Sequence, residues 1–133
     1  MTSALCCAAG QLARHNVENQ NAIASLGVIK PLVGLLDPTA SVESQVHAHA
    51  ACALMEVCQN NPSNCQRTVE AGGVAQLASL LIDMQQGEAV KAEVAGALWA
   101  LSEDEQIKVP THIHIHIHIH IYIHIHIHIH IHS

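Results

Sequence analysis

Residues 16–36 read NVENQNAIASLGVIKPLVGLL, and residues 61–81 read NPSNCQRTVEAGGVAQLASLL, an offset of 45 residues. Asn16 pairs with Asn61, Asn19 with Asn64, Gly27 with Gly72, Ile29 with Val74, and Leu32 with Leu77. Leu35 and Leu36 pair with Leu80 and Leu81. Self-similarity at a fixed period of about 20–50 residues marks stacked supersecondary units, none of which can cover its own apolar face. That constraint sets the fold class ahead of any local propensity.

Apolar spacing then places the elements. Seven helices are expected before residue 105, over 2–14, 18–26, 28–36, 42–59, 63–71, 74–84 and 88–102, with no strand among them. Leu5, Ala8, Ala9 and Leu12 form the apolar stripe of the first. Val42, Val46, Ala50, Ala53, Leu54 and Val57 form that of the fourth. Val90, Val94, Ala97, Leu98 and Leu101 repeat it in the seventh at an offset of 44, which makes Leu12, Val57 and Leu101 equivalent. The core is expected to hold Leu35, Leu36, Leu54, Leu77, Leu80, Leu81 and Leu98. Gly27 suits a left-handed C-terminal position, Pro31 a first helical turn, and Asp37-Pro38 a turn. With one Trp, one Tyr and no Phe, the core must be built from Leu, Val, Ile and Ala.

The two copies resemble the armadillo repeat, whose consensus has the form N-x-x-N-x-x-x-I-x-x-x-G-x-I-x-x-L-V-x-L-L. AGALWALS, residues 95–102, is similar to its third helix. The resemblance covers residues 2–104 and implies an all-α, right-handed α-solenoid. It divides the chain into a lone third helix at 1–15, repeats at 16–60 and 61–104, and an interrupted start of another at 105–111. A His-Ile tail follows at 112–133. The chain then reads as a fragment of a longer array.

The resemblance also implies a function. Third helices line a groove that holds an extended peptide or a partner surface, with a recurrent Asn on each bonding the ligand backbone. The matching positions here are Gln11, Glu56 and Ala100, none of them Asn. Importin-like members carry Trp four residues earlier, where this chain has Cys7, Cys52 and Gly96. The resemblance therefore does not extend to the binding of nuclear-localisation signals. Trp99 adjoins the Asn-equivalent position, as in catenin-like segments. Helical spacing extends the groove face to Ala4, His49 and Glu93. Glu56, Glu93, Glu103 and Asp104 make the downstream end acidic, which favours a basic partner through steering.

Other classes are set aside. The net charge is −6 with five Lys and Arg, and nucleic-acid binding needs clustered basic residues. No apolar run approaches the length of a membrane span. Five cysteines, Cys6, Cys7, Cys52, Cys58 and Cys65, follow no metal-ligand spacing. They read as reduced thiols of an intracellular, cytoplasmic protein, with the nucleus left open. His47 and His49 lie two apart and cannot chelate from one helix face. No nucleophile motif or phosphate-binding glycine loop is present, so the chain reads as non-enzymatic, with no cofactor and no small-molecule substrate indicated.

The tail alternates strictly. From 113 to 131 Ile fills every second position, with His112, His114, His116, His118, His120, His124, His126, His128, His130 and His132 between them, and Tyr122 in one place. Alternation is the period of a strand, so the tail is expected to be extended or without fixed structure. Its imidazoles would then share one face and converge on Zn²⁺, Ni²⁺ or Cu²⁺, at least adventitiously. A metal-binding tail peptide is thus the second functional reading. A third is a truncated product without independent function, since an in-frame hexanucleotide repeat gives the same pattern.

Overall fold

The computed structural model describes residues 3–39 and 43–132, and in the last helix the side chains through residue 123 and of Ile125. Among the described residues all regular structure is helical: α1 Ser3–Ala13, α2 Val17–Ser25, α3 Ile29–Gly34, α4 Ser44–Cys58, α5 Pro62–Glu70, α6 Gly73–Ile82, α7 Glu88–Ser102 and α8 Thr111–His132. The first seven fall where the spacing placed them. The order short, short, long occurs over α2–α4 and again over α5–α7.

The repeated residues do the same work in both copies. Asn16 and Asn61 cap α2 and α5, each accepting a hydrogen bond from the backbone N–H three residues on. Asn19 Nδ2 donates to the carbonyl of Leu12 at 2.7 Å, and Asn64 Nδ2 to that of Val57 at 3.0 Å. Each thereby ties a short helix to the end of the long helix before it. Gly27 and Gly72 sit at φ 76° and 86°, as a left-handed helix end requires. Gly73 answers a different need. A Cβ there would meet Thr68 Cγ2 at 2.6 Å and its carbonyl oxygen at 2.9 Å, so the turn between α5 and α6 closes only on glycine.

The long helices α1, α4 and α7 lie side by side, while α3 and α6 pack on α4 and α7 from one flank. Leu36, Leu54, Leu77, Leu80, Leu81 and Leu98 are buried as expected; Leu35 is only half-buried against them. Val42 lies outside the described residues. Several polar side chains join the core, Gln20 and His47 among them. Gln20 donates to the carbonyls of Glu56 and Gln59 and accepts from Asn61. His47 donates from Nδ1 to the carbonyl of Leu35 at 2.8 Å. Both are satisfied, which burial of such groups demands.

Two expectations are corrected. In α1 the buried residues are Cys6, Gly10 and Ala13, while Leu5 and Leu12 are 57% and 60% exposed. Their equivalents Ala50 and Val57, then Val94 and Leu101, are essentially inaccessible. The difference lies in the neighbours. In α4 and α7 that face meets α3 and α6; α1 packs chiefly on α4 and α2, neither of which covers it.

The second correction is the tail, which is helical from Thr111 and packs on α7 and α6. Ile113 and Ile117 are buried, His120 nearly so, and Ile121 packs partly against the core, whereas Ile115 and Ile119 are exposed. On a helix of 3.6 residues per turn, positions 113, 117, 120 and 121 share one face and 115 and 119 lie opposite. Strict alternation preserves every even spacing, including the four- and eight-residue steps of a helical stripe. The apolar flank of α7 decides between the two periods.

Candidate peptide-binding groove

The trough between α1 and α4 exists because those helices approach closely at Gly10. A Cβ there would lie 3.3 Å from the Cα of Ala53. A recess of about 210 Å³ opens beside this contact, lined by Cys6, Cys7, Gln11, Arg14, His49, Cys52 and Glu56 among others. A second, of about 730 Å³, runs between α4 and α7 and is lined by Ser44, Gln45, Ala48, His49, Cys52, Val90 and Glu93 among others. His49 and Cys52 belong to both, so the trough is continuous across α4. His49 is steadied across the α1–α4 contact by a hydrogen bond between its Nδ1 and the Ser3 hydroxyl.

The trough carries negative potential. Burial pushes the Cys52 thiol up to about 11, and the carboxylates of Glu93 and Glu56 add to the shift. Both carboxylates therefore act on one point at the centre of the trough. Arg14 is the basic side chain at its α1 end.

Six of the ten groove positions read from sequence line this trough, Cys7, Gln11, His49, Cys52, Glu56 and Glu93, while Ala4 is not among its lining residues. Gly96 sits at the α4–α7 contact, where an added Cβ would meet Met55 Sδ at 3.0 Å. Trp99 turns toward α8: its Nε1–H donates to Glu103 at 3.0 Å, and the ring stands edge-on to His118 with centroids 5.3 Å apart. Ala100 is buried in a separate recess with Cys58, Asn61, Cys65, Glu103 and Asp104. The acidic pair Glu103 and Asp104 thus lies off the trough. Arg14, Gln45 and Ala48 were missed, although each stands three or four residues from a residue that was named, the step of a helix face.

One similar solved structure is a designed armadillo repeat protein, 26% identical, with a TM-score of 0.64 over 74% of this chain and 39% of the other. The chain is an armadillo-like repeat protein. A second designed armadillo repeat protein, in complex with the peptide (KR)4, is 27% identical with a TM-score of 0.63 over 73% of this chain and 38% of the other. This armadillo-like chain spans about two fifths of the length of each. No family model matches it, and no curated protein does. Among the described residues no helix is long and apolar enough to cross a membrane.

Proposed function

We propose that this armadillo-like chain is a non-enzymatic interaction module that holds an extended, basic peptide in the trough across α1, α4 and α7. The observation that carries this is the pair Glu56 and Glu93, which line one continuous trough with Cys52 and add to the effect of burial in raising its pKa. An extended chain presents alternate side chains to such a surface, and cationic ones are drawn by its field. That a designed armadillo repeat protein with the same fold occurs in complex with (KR)4 supports the choice of ligand charge.

The test is fluorescence anisotropy with a labelled (KR)4 peptide and a (DE)4 control at low and at physiological salt. The cationic peptide is expected to bind and the acidic one not, with affinity falling as salt screens the charges. Glu56→Lys with Glu93→Lys should abolish binding without loss of helix by circular dichroism. Equal binding by the double variant would refute the trough as the site.

A further inference from the structure

On α8, His116 and His120 stand one helical turn apart with their rings stacked, centroids 6.3 Å apart and planes inclined by 14°. Two histidines at this four-residue spacing face one side of a helix and can hold one metal ion. Rings this close to parallel aim their in-plane lone pairs side by side, so the less buried His116 turns about its side-chain torsions to bring its nitrogen to about 2.1 Å from an ion held by His120. The carboxylate of Glu88, from the first turn of α7, lies 3.1 Å from His120 Nδ1. With His120 neutral, Nδ1–H donates to that carboxylate. The tautomer is then fixed, and Nε2 presents its lone pair. A carboxylate behind a ligating histidine orients the ring and raises its basicity.

We propose that His116 and His120 form a divalent transition-metal site of zinc type, with Glu88 as the positioning residue for His120. Among the described residues no three His, Cys, Asp or Glu gather to hold an ion. The protein supplies two nitrogen ligands, and water completes the shell. Glu88 belongs to α7 and both ligands to α8, so the Glu88–His120 hydrogen bond couples metal binding to the docking of the last helix. His114 and His118 have the same spacing, but His118 packs on Trp99. They serve as an internal control.

The experiment is a titration of the full chain with zinc chloride, followed by the ¹H–¹⁵N spectra of the histidine side chains. The Nε2 signals of His116 and His120 are expected to shift at the first equivalent, while Nδ1–H of His120 is retained. Glu88→Gln should weaken this first site by roughly 10- to 100-fold, and His114→Gln with His118→Gln should leave it unchanged. Circular dichroism checks that each variant keeps its helix. A response of all tail histidines at one zinc concentration would overturn the proposal, as would an unchanged affinity in Glu88→Gln.

Discussion

Replacing Ile117 and Ile119 separately by Ala distinguishes a docked helix from an extended tail. Ile117 is wholly inaccessible and Ile119 is 46% exposed, though they are two residues apart in an unvarying repeat. Truncating a fully buried Ile costs about 2–5 kcal/mol, through lost transfer energy and the cavity left behind. The ceiling here is set by α8 itself. Its docking face holds two fully buried isoleucines, each contributing about 1.5–3 kcal/mol before ordering costs. Ile117→Ala is therefore expected to cost about 2 kcal/mol, after which the helix leaves α7 rather than tolerate a larger cavity. Ile119→Ala should stay within about 0.5 kcal/mol. Trp99 is the only Trp in the chain, and its ring contact with His118 makes its fluorescence a reporter of docking. In a urea titration, with a slope of about 1–3 kcal/mol per molar, the Trp99 transition should move by on the order of 1 M for Ile117→Ala and hardly at all for Ile119→Ala. In a strand both isoleucines face the same way, so equal shifts would refute the helical docking.

Asn64→Ala should destabilise the chain more than Asn19→Ala, with thermal unfolding as the measure. Buried Asn64 bonds the carbonyls of Val57 and Gln20, so its loss strands buried acceptors at about 1–3 kcal/mol; Asn19 makes the equivalent bond to Leu12 in a more open place. Alkylation of Cys52 by iodoacetamide at pH 8 should be slower than that of a free cysteine and should accelerate toward pH 11, since burial, Glu93 and Glu56 keep the thiol protonated. The same raised pKa contributes stability that is intact below 9.0 and lost as pH climbs toward about 11, to be read as a falling urea midpoint over that window.

Much of the solenoid was legible because its repeated residues carry fixed backbone duties. The asparagine three residues after each cap binds the preceding long helix, and the glycine ending each short helix takes positive φ. Such duties recur at a fixed offset whatever surrounds them. The stripe of α1 was not legible in this way. Leu5 and Leu12 are as apolar as their counterparts in α4 and α7, yet whether a face is buried depends on a neighbour, which a single helix does not encode. Trp99 and Ala100 went astray for a related reason. The family pattern assigns them to the groove, but α8 draws Trp99 to its own side, and Ala100 sits beside the α4–α5 turn.

The tail shows how far periodicity can decide secondary structure. A two-residue alternation contains the four-residue step of a helix as a subset, so the same isoleucines satisfy both patterns. They differ in what is left over. A strand puts every Ile on one face, with no core to receive it, and leaves an unpaired edge. A helix buries Ile113 and Ile117 against α7, sends Ile115 and Ile119 outward, and admits His120 to the interface, where Glu88 meets it. Backbone hydrogen bonds are then satisfied within the segment, and the polar residue forced into the buried face has a partner. The deciding terms are the apolar flank of α7 and one carboxylate at its start. Both lie outside the tail, which is why the tail's own sequence pointed to the other period.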